Sequence, residues 1–284
     1  MIDYHIHPDY SLDAEGSVDM HCRAALEAGL KEIVFTTHLD ADRIGDDHWF
    51  RVRGKRVDVT DLCALQDYET TVRDAGDRYS EDGLTVLLGV EVDYYEGVEG
   101  DLPEQFYSTD FDIILGSVHM IDHVAISAGD RASAIFDRYT LDDLGRTYFN
   151  TLFDAIDADL FDMLAHLDLY RRFGERYYGE DARHLWKSYL DGLADRMKRK
   201  RVGFEINTSP WRRGGNESMP SRELTKALFD TGIRSVTVGS DAHTPKNIGA
   251  DIGRALRMLK DIGFNEVMRF RRRKKRPASI HELL

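Results

Sequence analysis

The sequence predicts an α/β fold with a mainly parallel sheet, closed or nearly closed into a barrel. Three observations lead there. Short apolar segments alternate with longer stretches of helical spacing along the 284 residues. No linker, low-complexity segment or internal repeat interrupts them, so one domain over residues 1–284 is expected. The histidines and carboxylates fall at one end of successive strand-like segments.

The strands are expected at Ile2–His5, Glu32–Thr36, Thr85–Val90, Asp112–Ser117, Leu160–Ala165, Val202–Ile206 and Ser235–Gly239. Helical spacing fills the intervals at Val18–Ala28, Asp61–Tyr79, Leu141–Ala158, Ala182–Lys200, Ser221–Asp230 and Gly249–Asp261. Ser17 and Ser221 stand where N-caps belong, and Gly29, Gly232 and Gly263 where C-caps belong.

Bulk composition narrows the function classes. Apolar residues make up 42% and charged residues 31%, as in ordinary globular proteins. A net charge of -13 argues against nucleic acid as a partner, and an anionic substrate would have to be drawn by local cations or arginines. No apolar run approaches the roughly 20 residues a membrane span needs. Cys22 and Cys63 form no disulfide framework, and strand-like sequence begins at Ile2 with no room for a signal peptide, so a cytoplasmic setting is expected.

Two segments break the alternation. Asp40–Asp58 is polar and carries Trp49 and Phe50 at its middle; it reads as a surface loop, with a lid over the active mouth as the functional alternative. Arg269–Arg276 holds seven basic residues in eight positions. Set against so acidic a body, it reads as a solvated terminal strand or tail rather than a nucleic-acid site.

The chemistry is carried by the strand ends. His5 and His7 close the first strand, and Asp13 follows six residues later. His38 follows the second strand, Glu91 ends the third, His119 follows the fourth, His166 the fifth, and Asp241 and His243 the seventh. Residues i and i+2 of a strand share a face, so His5 and His7 can grip one ion together. Parallel strands all end on one side, so ligands at their C-terminal ends converge on one mouth. Imidazole and carboxylate suit zinc, iron or manganese, and nine such groups exceed the about four that one zinc takes. Two or three divalent ions sharing carboxylate bridges are expected, with Glu91, from a middle strand, as the natural bridge. His21, His48, His123, His184 and His281 are read as surface or loop residues. Arg171, Arg172, Arg212 and Arg213 lie in loops on the same side, where a guanidinium fork matches phosphate oxygens. Glu205 and Asn207 end the sixth strand as partners for a ligating histidine or the substrate.

These residues, in this order, resemble the polymerase and histidinol phosphatase (PHP) family of metallohydrolases. The matching motifs are His5-x-His7, the turn at Asp13, His38, Glu91, His119, His166 and Asp241-x-His243, from residue 2 to about residue 250. Gly-Ser-Val-His, His-x-Asp-Leu, Glu-Ile-Asn-Thr-Ser followed by arginine, and Gly-Ser-Asp-Ala-His resemble its histidinol-phosphate phosphatase branch, as does the basic ending, which favours the tail being part of the fold.

The resemblance implies a distorted (β/α)7 TIM-like barrel with the metal site at the C-terminal strand ends. It implies three metal sites: His5, His7, Glu91 and Asp241; Asp13, His38 and His243; Glu91, His119 and His166. Glu91, Asp241 and His243 become the catalytic residues, and Arg171 and Arg212 the phosphate-binding arginines. Many members of the branch have histidine where this chain has Asp13, and smaller residues where it has Pro210-Trp211. The expected activity is hydrolysis of a small phosphate monoester, histidinol phosphate first, with a nucleotide or another small ester as the alternative. Expected partners are the small-molecule substrate and two or three divalent ions (Zn, Fe or Mn), without nucleic acid or membrane; homo-oligomerisation is left open.

Overall fold

Each of the seven apolar runs becomes a strand of one parallel sheet in the computed structural model, which describes residues 1–284. In chain order they are β1 (Ile2–Ile6), β2 (Glu32–His38), β3 (Thr85–Asp93), β4 (Ile113–Ser117), β5 (Met163–Leu164), β6 (Gly203–Asn207) and β7 (Val236–Gly239). Neighbours in sequence are neighbours in the sheet, and every pairing is parallel. The strands are buried along almost their whole length, which explains their continuous apolar runs rather than a period-two pattern.

The sheet comes round on itself between its first and last strands. An isolated parallel bridge joins Ile6 to Ala242, and the His7 N–H donates to the Ala242 carbonyl at 2.9 Å. Asp3, fully buried in β1, reinforces this seam. Its carboxylate accepts from the Ser240 N–H at 2.8 Å, from the Ser240 hydroxyl, and from the Gly249 N–H at 2.8 Å.

Helices cover the outside: α1 (Val18–Glu27), α2 (Leu62–Ser80), α3 (Leu141–Asp157), α4 (Arg171–Tyr178), α5 (Leu190–Lys200), α6 (Arg222–Asp230) and α7 (Ile252–Ile262). Ser17 caps α1 and Ser221 caps α6, each side chain accepting from a backbone N–H of the first turn. α7 turns Ile252, Ala255, Leu256, Leu259 and Ile262 to the barrel and ends at Gly263, whose φ of +122° suits glycine alone. None of the helices is long and apolar enough to cross a membrane.

Three segments differ from expectation. The expected helix Ala182–Lys200 is broken before α5, where Tyr189 leaves helical geometry and stacks on Phe149 with ring centroids 4.4 Å apart. Arg171 and Arg172 open α4 instead of lying in a loop, and Arg212 ends the short helix Ser209–Arg212. Within Asp40–Asp58, Trp49–Val52 and Lys55–Asp58 pair as an antiparallel hairpin.

The basic run is part of the fold. Glu266–Arg271 and Lys274–Ser279 form a hairpin across the N-terminal ends of the strands, with Val267 and Phe270 buried. Acidic residues at the strand starts meet its cations. Arg269 makes a two-pronged ion pair with Glu32, and Arg273 pairs with Asp162 at 3.0 Å. The Arg272 N–H donates to Asp112 at 3.0 Å. The charges that suggest a nucleic-acid site in one dimension seal the bottom of the barrel in three.

Candidate metal centre

The opposite end of the barrel holds a cavity of about 490 Å³. The side chains at its floor arrive from the strand ends, and Glu91 lies at their centre. Its Oε2 is 3.2 Å from His5 Nε2, 3.5 Å from His7 Nε2 and 3.1 Å from His38 Nδ1. Its Oε1 is 2.9 Å from His166 Nε2 and 3.5 Å from His119 Nε2. Asp241 Oδ1 sits 3.5 Å from His7 Nε2 and 3.2 Å from His243 Nδ1. Asp13 Oδ2 reaches His243 Nε2 at 3.1 Å and lies 3.9 Å from His38 Nε2.

All nine residues marked in the sequence therefore meet at one rim. Eight of them fall into three groups, the first two sharing His7: His5, His7 and Asp241; His7, His38 and His243; Glu91, His119 and His166. Asp13 joins through His243 and His38. Asp40 forms a further group with His38 and His119.

The donor set fits divalent cations. Glu205 Oε1 lies 2.7 Å from His5 Nδ1, and a carboxylate only accepts, so Nδ1 carries a proton and Nε2 is the atom turned inward. That nitrogen confronts His7 Nε2 at 2.8 Å as well as two carboxylates. So close a set of inward-facing nitrogens and carboxylate oxygens needs positive charge among them, which protons on the rings or bound cations can supply. The separations scatter around the about 3.3–3.6 Å between ligand atoms of a tetrahedral shell with bonds of about 2.0–2.2 Å, and the three at 3.5 Å (Glu91 to His7, Glu91 to His119 and Asp241 to His7) fall within it.

The electrostatics agree. Burial pushes Glu91 toward the neutral form, but the charges of His5 and His119 and hydrogen bonds from His166 and His38 hold it well below the usual carboxylate range. Asp241 is likewise held down by His243, His5 and His7 against its burial. Burial and the charges of His38 and His243 drive His7 well down, toward the neutral form that binds metal.

The backbone is shaped for these positions. His166 has φ +26° and Asp241 φ +53°, conformations uncommon for non-glycine residues and concentrated at functional sites. Arg212 anchors the Asp241 turn by donating to the carbonyls of Ser240 and Asp241. Gly239 permits the approach of Glu205 to His5, since a Cβ there would lie 2.1 Å from Glu205 Oε1.

The arginines divide differently from the sequence expectation. Arg171 is buried and committed to Asp168 at 2.7 Å and Glu175 at 3.1 Å, facing away from the cavity floor. Arg212 is committed to the two carbonyls just described. Their neighbours Arg172 and Arg213 line the cavity, and neither guanidinium has a carboxylate within ion-pair distance. Desolvation and the charge of Arg213 push Arg172 down to about 10.

Sequence reasoning missed Asp40 and Asp93. Asp93 is fully buried, accepts from the His119 N–H, and donates its own N–H to Asp40 at 3.2 Å. The signal was present for Asp93, which stands two residues after Glu91 on β3 and hence on the same face; Asp40 follows His38 by two residues just past the end of β2. His21 and His48, read as surface or loop residues, are buried. His123 pairs with Asp42 at 2.9 Å.

A parallel barrel with a many-histidine, carboxylate-bridged centre at its C-terminal rim defines a metallohydrolase. The chain belongs to the PHP domain family, whose profile matches residues 3–209. It is 29% identical over 279 residues to the protein named probable histidinol-phosphatase in Deinococcus radiodurans, covering 98% of this chain and 99% of that one. It is 24% identical over 274 residues to the histidinol-phosphatase of Lactococcus lactis, covering 95% and 94%. The crystal structure of the Lactococcus lactis histidinol phosphate phosphatase with zinc, L-histidinol and phosphate superposes with a TM-score of 0.76 at 22% identity, over 97% of this chain and 98% of that one.

Proposed function

We propose that this chain is a metal-dependent phosphate-monoester hydrolase whose substrate is histidinol phosphate. One observation carries the reading: nine metal-type side chains from six strand ends converge around Glu91 at one mouth. Relatives matched over nearly their whole length bear the name of that activity. We read residues 1–284 as one working domain. Cys22 and Cys63, both free, suit a reducing compartment such as the cytoplasm.

Two or three divalent ions (Zn, Fe or Mn) would be held by His5, His7, Glu91 and Asp241, by Asp13, His38 and His243, and by Glu91, His119 and His166, with Glu91 common to two of the sites. Such ions supply a water ionised near neutral pH and a counter-charge for phosphoryl oxygens. The chain does the rest. Arg172 and Arg213, uncommitted at the rim, receive the phosphate; Arg171 and Arg212 brace the segments that carry them. The guanidinium forks hold the phosphoryl group in line for displacement and spread its charge. Asp40 and Asp93, from the β2 and β3 ends, line the same cavity; burial raises both carboxyls, Asp40 to about 7, and an ammonium group beside them would draw them back to the charged form. An ester with a phosphate and an amine satisfies both the arginines and these carboxyls, whereas a nucleotide brings the carboxyls no ammonium group.

The test is phosphate release by manganese- or zinc-loaded protein from histidinol phosphate beside nucleotides and sugar phosphates. The expected result is a kcat/KM for histidinol phosphate at least tenfold above the rest. Arg172→Ala and Arg213→Ala each raise KM about 10–100-fold, the range for one charge-assisted hydrogen bond of about 1.5–3 kcal/mol. Equal rates across the panel would reject the substrate, and an unchanged KM in both variants would reject the arginines.

A further inference from the structure

The hairpin inside Asp40–Asp58 does more than overhang the cavity. Its first strand, Trp49–Val52, splits its side chains between two faces. Phe50 is fully buried and packs edge-on against Tyr68 of α2, with ring centroids 6.3 Å apart. Trp49 and Arg51 share the other face; Trp49 lines the cavity, and Arg51 turns to the loop between β1 and α1.

That loop wraps around the Arg51 guanidinium. Nη1 donates to the Ala14 carbonyl at 2.8 Å and more distantly to the Asp9 carbonyl at 3.4 Å; Nη2 donates to the Leu12 carbonyl. The Arg51 N–H adds a bond to the Tyr10 carbonyl at 2.8 Å. Two of these acceptors, Leu12 and Ala14, flank Asp13 on either side. The Leu12 carbonyl belongs to the peptide plane that enters Asp13 and the Ala14 carbonyl to the second plane after it, so Arg51 pins the backbone on both sides of the residue; the plane between them is held by the Ala14 N–H, which donates to the Ser11 carbonyl at 3.2 Å. Asp13 needs such support: its side chain is 62% exposed, and no other side chain but His243 and His38 lies within ion-pair reach of it.

We propose that Arg51 is a positioning residue for the cation site formed by Asp13, His38 and His243, and that the hairpin is a brace for that site. The proposal rests on the reading of those three residues as metal ligands. It makes Asp13 a ligand whose loop is held jointly by a surface hairpin and by the rim, where the Glu15 N–H donates to the His243 carbonyl at 2.8 Å; the other eight stand at the strand ends themselves. Groups that orient a ligand from outside the coordination sphere typically account for 10–100-fold in metal affinity.

The experiment measures manganese stoichiometry and affinity by titration calorimetry, with zinc content by elemental analysis. The proteins are wild type, Asp13→Asn, Arg51→Met, Arg51→Lys and Arg53→Ala. Arg53 lies on the same hairpin but pairs with Asp67 on α2 at 2.8 Å and bonds none of the carbonyls around Asp13, so its loss tests the hairpin while leaving those carbonyls held. Melting curves of the metal-free proteins report folding separately.

Asp13→Asn and Arg51→Met should each weaken one manganese equivalent 10–100-fold and leave the rest unchanged. Arg51→Lys, which keeps the charge but cannot bridge both carbonyls, should recover part of the loss, and Arg53→Ala should bind like wild type. If Asp13→Asn loses the ion while Arg51→Met and Arg51→Lys bind like wild type, the brace is refuted and the site stands. If Asp13→Asn also binds like wild type, the site itself is refuted, and the brace with it. Equal loss in Arg53→Ala would make the effect one of hairpin folding and would overturn the specific role of Arg51.

Discussion

Replacing Arg269 by Met removes the cation that neutralises the start of β2. Glu32 is 4% exposed, and its donors are the Arg269 guanidinium, with Nε at 2.8 Å, and the Tyr4 hydroxyl. Without Arg269 the carboxylate keeps one hydrogen bond and no counter-charge. Removing one partner of a buried pair costs about 3–5 kcal/mol. Here the Arg269 side chain is 43% exposed, so water enters its place and re-solvates part of the carboxylate. The expected loss is at or below the bottom of that range, about 2–3 kcal/mol. At about 2–4 °C per kcal/mol for a chain near this size, Tm falls by roughly 4–12 °C. Thermal and urea unfolding of Arg269→Met, Glu32→Gln and the double variant measure the loss and its coupling. The double variant should lose less than the sum of the singles by about 1 kcal/mol or more, since a neutral amide needs no cation. Turnover at 25 °C should persist, because the pair lies at the end of the barrel opposite the metal centre. A Tm within about 1 °C of wild type, or additive losses in the cycle, would refute the view that the basic hairpin is an electrostatic seal.

Two further outcomes follow from the centre. Glu205→Gln keeps the size of the group that fixes the His5 proton but removes its charge; cation affinity should drop about 10–100-fold with the melting temperature of the metal-free protein little changed, and unaltered affinity in calorimetry would count against the role. Cation uptake should also depend on pH. Burial disfavours charge on His38, yet its hydrogen bond to Glu91 and the charges of Asp13 and Glu91 raise it to about 10; His243, opposed by burial and raised by Asp13 and Asp241, reaches about 9. Without cations both rings therefore hold protons at pH 7, and binding must expel them. Apparent affinity should rise as pH climbs from 7 toward 9, with protons released to buffer; a flat profile would contradict the protonated rings.

Much of this was legible in the sequence because two periodicities point the same way. Continuous apolar runs of strand length marked all seven strands, and i, i+2 spacing at their ends placed His5 with His7 and Asp241 with His243. What escaped had physical reasons. Successive residues of a helix point about 100° apart, so two adjacent arginines look alike in sequence while Arg171 turns to Asp168 and Arg172 to the cavity. The hairpin at Trp49–Asp58 carries no strong alternation, because one face meets a polar cavity and a loop of carbonyls rather than a core. The role of Arg269–Arg276 depended on Glu32, Asp112 and Asp162, far away in the chain, and no local pattern announces partners at that range. Asp40 and Asp93 were overlooked for a different reason: the ligand set looked complete without them.

The seam at Ile6 and Ala242 has a consequence for how the molecule holds together. The ring of strands is joined start to finish by a short bridge and one buried carboxylate, with no long ladder between β1 and β7. His5 and His7 stand on one lip of that join, Asp241 and His243 on the other. An ion gripped from both lips is a rivet between the two termini of the sheet, and each rivet adds its binding free energy to closure. Loss of such ions should therefore loosen the molecule first along this line, where the first and last strands of the barrel to leave the ribosome meet.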